Sequence, residues 1–112
     1  NVEIENDGID IKANVGTEVK AIAVGKVRFC SWHDAAGNLV VIEHGKGYYS
    51  LYAHLSRFDV NLDDYVEAGQ VIGAVGETGS LKGPMLHFEI RQIRKSGPKA
   101  LNPINWLIKF KK

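Results

Sequence analysis

The stretch NLVVIEHGKGYYSLYAH, residues Asn38 to His54, decides the fold. Two apolar runs flank Gly45-Lys46-Gly47, and glycine supplies the positive φ angles that a tight turn needs. The segment reads as a β-hairpin. Working outward, Gly8 to Lys12 (GIDIK) alternates, and Glu18 to Val24 and Gly25 to Ser31 follow as further runs, with Gly16 and Gly25 as turn points. Val66 to Gly69 and Gln70 to Val75 give a further pair of runs, and Met85 to Gln92 (MLHFEIRQ) is the last long strand. Short runs broken by glycine at close intervals predict an all-β domain, compact and mostly antiparallel. One helical turn is expected over Asn102 to Leu107, with Asn102 capping, Pro103 at the first helical position and Trp106 anchoring the chain end. Two segments read as long loops suited to recognition, Trp32 to Gly37 and Glu77 to Pro84.

A length of 112 residues fits one domain, spanning 1–112. The chain opens at Asn1 without a methionine, almost directly in a strand-like pattern, and reads as a fragment excised from a longer protein. A hydrophobic share of 45% with 24% charge is ordinary for a globular domain and argues against disorder. The formal net charge of +1 leaves no basic footprint for nucleic acid. Cys30 is the one cysteine, so no internal disulfide forms; in VRFC it reads as a small buried hydrophobe. No apolar run approaches the length of a membrane-spanning helix.

Chemistry has few candidates. On a strand, Met85 and His87 project from one face, because side chains alternate with period two. Asn6 and Asp10, four apart, share a side if their segment is extended. A site drawing on these four is natural if the two strands are neighbours. Of the four histidines, His33 and His44 read as surface or hydrogen-bonded residues, His44 shaping the hairpin. Leu86, Phe88 and Ile90 should face the core. Tyr48, Tyr49, Tyr52, Phe88 and Trp106 read as core or sheet-face residues rather than a sugar-stacking platform.

The segments GIDI, GTEVKAIAVGKV, NLVVIEHGKGYYSLYAHLS, VEAGQVIGAVGETG, GPMLHFEIR and NPINWL, in this order over nearly the whole chain, resemble the lysostaphin/LytM-type zinc endopeptidases of peptidoglycan. The resemblance implies a duplicated-hybrid-motif-like β fold with a groove across its central sheet, and a fragment lacking the first strand or so of that fold. Active members carry His-x-Gly-x-Asp on the first motif and His-x-His on the last. The first histidine, the aspartate and the final histidine bind zinc; the Tyr-Ala-His histidine and the first member of His-x-His assist the metal-bound water. Here Asp10, His54 and His87 remain, while Asn6 and Met85 replace histidines. Asp10 and His87 supply two zinc ligands where catalytic sites usually have three. The Met85 thioether is a weak, soft ligand and transfers no proton.

No catalytic residue and no metal site is therefore expected. His54 and Met85 are vestigial catalytic positions; Asn6, Asp10 and His87 are vestigial metal positions. The resemblance implies a degenerate domain of the murein hydrolase activator (EnvC) type, exported to the periplasm or cell envelope. Such domains activate a cell-wall N-acetylmuramoyl-L-alanine amidase during peptidoglycan remodelling and cell separation, and link to a divisome membrane complex through an N-terminal region. The docking groove is expected at Asn6, Asp10, Tyr52, His54, Arg57, Met85 and His87, with the loop Glu77 to Pro84. Two alternatives stand beside it: a zinc endopeptidase with an atypical ligand set (zinc as cofactor, Asn6 or Asp7 ligating), and a passive peptidoglycan-binding domain.

Overall fold

The computed structural model describes residues 2–4, 8–94 and 97–101. The strands in chain order are β1 (Val2–Ile4), β2 (Ile9–Lys12), β3 (Glu18–Lys20), β4 (Gly25–His33) and β5 (Gly37–Gly45). They continue with β6 (Tyr48–Phe58), β7 (Tyr65–Val66), β8 (Val71–Val75), β9 (Met85–Arg94) and β10 (Gly97–Leu101). Among the described residues there is no helix, and every strand pair is antiparallel. The sheet runs β1-β2-β9-β6-β5-β4-β7, with β10 added to β9 and β8 joined to both β3 and β6.

The hairpin of the opening stretch forms as expected. Gly45 pairs with Tyr48, leaving Lys46 and Gly47 at φ 54° and 79° in the turn. Two consecutive positive φ values match the turn twist that right-handed strands prefer. The core lies on one face of the curled sheet, where Val27, Val40, Ile42, Leu55, Ile72, Phe88 and Ile90 are buried. Leu86 packs against that cluster, so the alternation expected for β9 holds.

The long strand β6 changes partner half-way. Tyr48 to Ala53 pair with β9, whereas Leu55, Arg57 and Phe58 pair with β8. His54 sits at the switch, with φ 65° and a register shift against β5 between Asn38 and Val40. This is a β-bulge, which bends a strand and re-aims a side chain.

Of the two expected loops, Glu77 to Pro84 stands as read. The other shrinks to a tight turn over residues 34–36. Trp32 pairs with Asn38 and His33 with Gly37, because the β4–β5 ladder continues to its end. The helical turn expected over Asn102 to Leu107, with Trp106, lies outside the described residues, as does Asn6.

Candidate functional site

A groove of about 740 Å³ crosses the face of the sheet opposite the core. Its floor is built from alternate residues of three neighbouring strands. Asp10 of β2 pairs with His87 of β9, and His87 pairs with Ala53 of β6. The period-two rule then places Glu89 and Arg91 on the same face as His87. One wall is the turn with Ala35 and Ala36 beside His33; the other is the loop carrying Ser80, Leu81 and Lys82.

The floor carries a continuous chain of charge. Asp10 Oδ1 lies 2.5 Å from His87 Nδ1, and Glu89 Oε2 lies 2.6 Å from His87 Nε2. The other Glu89 oxygen accepts from Arg91 Nε at 2.7 Å, and Lys82 Nζ stands 3.9 Å from Asp10 Oδ2. Asp10 is 5% exposed and Glu89 8%, so both carboxylates need these partners. The Glu89 hydrogen bond holds the His87 pKa above its ordinary value; burial opposes it and Asp10 reinforces it. Burial alone would push the Glu89 carboxyl up, but hydrogen bonds from His87 and Arg91 outweigh it, and the pKa falls.

His54 reaches the groove only because of the bulge. Its backbone N–H donates to Ala36 O at 2.8 Å, and its Nδ1 lies 2.7 Å from Thr78 O. The His54 and His87 rings approach to 6.1 Å between centroids.

Several expected groove residues fall elsewhere. Tyr52 is 1% exposed on the core side: its hydroxyl accepts from the Ile22 N–H at 3.0 Å and lies 2.8 Å from Ser50 Oγ. Burial there pushes its pKa up to about 12. The expectation failed because i and i+2 share a face only in a regular strand, and the bulge at His54 breaks that parity. Arg57 lies beyond the bulge, exposed and paired with Asp59 at 3.0 Å, away from the groove. Met85 lines the groove floor yet is only 2% exposed, so it is packed in rather than presented as a contact surface. Glu89, Lys82 and Arg91 were not foreseen. For Glu89 and Arg91 the signal was present, two and four residues beyond His87 on one strand.

The remaining histidines divide as read. His44 Nδ1 lies 2.8 Å from Val24 O and its Nε2 2.7 Å from Ser50 Oγ, tying the hairpin to the core; burial lowers its pKa. His33 is exposed at the groove rim and accepts from the Ala35 N–H. Cys30 is half-buried, with its thiol donating to Val60 O at 3.4 Å; burial pushes its pKa up, which makes it a poor nucleophile.

Residues 5–103 match the model of Peptidase family M23. The chain belongs to that family. It is 45% identical over 105 residues to the murein hydrolase activator EnvC of Escherichia coli (strain K12), covering 94% of this chain and 24% of the activator. It is 40% identical over 87 residues to the cell division protein DipM of Caulobacter vibrioides, covering 77% of this chain and 14% of DipM. The catalytic domain of the antimicrobial peptidase lysostaphin from Staphylococcus simulans superposes with a TM-score of 0.83 at 36% identity, covering 92% of this chain and 79% of that domain. The M23 domain thus spans about a quarter or less of the length of the two relatives, and its all-β fold is that of a family catalytic domain.

The M23 fold implies a zinc site; Asp10 and His87 stand side by side at two of its positions, and Asn6, at the third, lies outside the described residues. His87 Nδ1 faces Asp10 and its Nε2 faces Glu89, a carboxylate–histidine arrangement that also accompanies bound metals. The Lys82 ammonium faces the second oxygen of Asp10. Among the described residues no group of three or more His, Cys, Asp or Glu is placed to hold a metal ion.

Proposed function

We propose that this M23 domain is a non-catalytic regulatory module that binds and activates a cell-wall N-acetylmuramoyl-L-alanine amidase in the bacterial envelope. One observation carries the reading. The groove of a peptidase scaffold is kept with Asp10 and His87 side by side on its floor, while the sequence carries Asn6 and Met85 where the family has histidines. A floor short of one family ligand and of one proton-handling histidine favours binding over hydrolysis. The similarity to a murein hydrolase activator supports the choice of partner.

Physically, the groove becomes a docking surface. An amidase that exists in closed and open forms is activated by a partner only to the extent that the partner prefers the open one. The exposed rim residues His33, Leu81 and Lys82 are the natural contacts, with Asp10, His54 and His87 below them. Met85 acts from beneath by filling the floor. The full protein is exported, and its divisome attachment is made outside this domain.

The test mixes the domain with purified cognate amidase and dye-labelled peptidoglycan. Dye release by the amidase should rise several-fold over the amidase alone, and the domain alone should release none. Neither stimulation nor binding would overturn the activator reading. Binding to peptidoglycan alone would identify a passive wall-binding domain. Cleavage by the domain itself, with zinc that survives dialysis, would identify an endopeptidase.

A further inference from the structure

Of the two histidines on the groove floor, one presents a lone pair. His87 has both ring nitrogens against carboxylates. His54 is held differently: its Nδ1 lies 2.7 Å from the carbonyl oxygen of Thr78. A carbonyl oxygen only accepts, so Nδ1 carries the hydrogen. In the neutral imidazole the lone pair is then on Nε2, the ring atom left to the groove.

Thr78 is itself fixed from both sides. Its hydroxyl donates to Leu55 O at 2.8 Å and accepts from the Asn38 N–H at 3.1 Å. Asn38 Nδ2 adds a bond to the same Leu55 oxygen at 3.0 Å. The wall loop lies this close to the start of β5 because two glycines meet there. A Cβ at Gly37 would fall 2.2 Å from Thr78 O, and one at Gly79 would fall 2.6 Å from Gly37 N. A larger residue at Gly37 would displace the very carbonyl that faces the His54 ring. With φ at 65° and its N–H bonded to Ala36 O, His54 is held in an uncommon conformation by everything around it. Backbone strain of this kind persists only where the surroundings over-determine it, and it clusters at functional sites.

We infer that Thr78 is a positioning residue that holds His54 in the Nδ1–H tautomer, which makes His54 Nε2 a hydrogen-bond acceptor of the groove. The segment that docks there meets it with an N–H or O–H donor. This second part rests on the docking reading above; the tautomer does not. The assignment also sets specificity. A carbonyl or carboxylate placed at Nε2 would set lone pair against lone pair, whereas an amide, hydroxyl or ammonium is matched.

Long-range ¹H–¹⁵N correlation spectra of the ¹⁵N-labelled domain, recorded with His54 neutral, decide the tautomer. Wild type should show Nδ1 in the protonated range and Nε2 in the lone-pair range. Thr78→Val removes the hydroxyl anchor and should average the two shifts; Thr78→Ser should restore them. Amidase affinity should fall about fivefold to tenfold in Thr78→Val, the scale of one net hydrogen bond, and return in Thr78→Ser. A wild-type His54 protonated at Nε2 would overturn the assignment, as would a Thr78→Val domain that keeps the wild-type pattern. The wild-type spectrum decides even if Thr78→Val does not fold. If wild type binds no amidase, the docking reading and the donor part fall together, while the shifts still decide the role of Thr78.

Discussion

Met85→Glu is expected to destabilise the domain by roughly 4 kcal/mol or more, the scale for burying an ionisable group without a partner. Met85 is 2% exposed, and its backbone N–H is committed to Gly76 O at 3.0 Å, so the strand cannot swing the new side chain into water without losing that bond. The cationic groups on this face, Lys82, His87 and Arg91, already face Asp10 and Glu89, so the new carboxylate has no ready partner. The glutamate would stay protonated at neutral pH rather than charge. Against a typical total stability of about 5–15 kcal/mol, this loss leaves a large unfolded fraction. Met85→Leu, which nearly conserves volume, should cost less than about 1.5 kcal/mol. Met85→His should fall between them, because the ring fits the family position but its polar atoms need partners. Thermal unfolding followed by circular dichroism ranks the three. Equal midpoints for Met85→Glu and Met85→Leu would show that position 85 is open to solvent.

This ordering changes what the methionine means. Read on the strand alone, Met85 faces the groove and invites the idea of an adaptable contact for a partner. Its burial makes it a packed part of the groove floor. Asp10 and His87, by contrast, were legible as one site from sequence, because period-two alternation and the antiparallel pairing of β2 with β9 are regular there. The hairpin was legible from its glycines: Gly45 and Gly47 announce their positive φ values in their identities, and Lys46 between them follows at φ 54°.

Where the reading went astray, regularity ends. Tyr52 and His54 share a face only if the strand is unbroken, and no residue type in YYSLYAH announces a bulge at a histidine. The bulge is set by β6 leaving β9 for β8, a contact between segments far apart in the chain. Thr78 was hidden for a similar reason. Its role depends on two glycines, Gly37 and Gly79, meeting back to back across 42 residues of sequence. Lys82 sits on a loop, where periodicity says nothing about direction. Glu89 was legible and missed: the His-x-His pattern drew attention to 85 and 87 and stopped one alternation short.

Asp10→Ala is expected to cost roughly 3–4 kcal/mol near pH 6, the lower part of the range for breaking a buried pair, because His87 keeps Glu89. The pH profile separates this ion chain from simple packing. The His87 pKa is raised in the folded domain, so its contribution is fully present below about 6.5 and is lost as pH rises through the folded value. The Glu89 pKa is lowered, so its contribution is present above about 4.5 and is lost as pH falls through the folded value. The chain is therefore strongest between about pH 4.5 and 6.5. His44 works in the opposite sense: its lowered pKa gives stability that is present above about 6.5 and lost as pH falls. Because the Glu89 hydrogen bond is the leading cause of the His87 shift, Glu89→Gln should lower the His87 pKa further than Asp10→Asn does. Proton NMR titration of the His87 ring measures both. A wild-type value at or below 6.5 would show that the carboxylates do not hold the imidazolium.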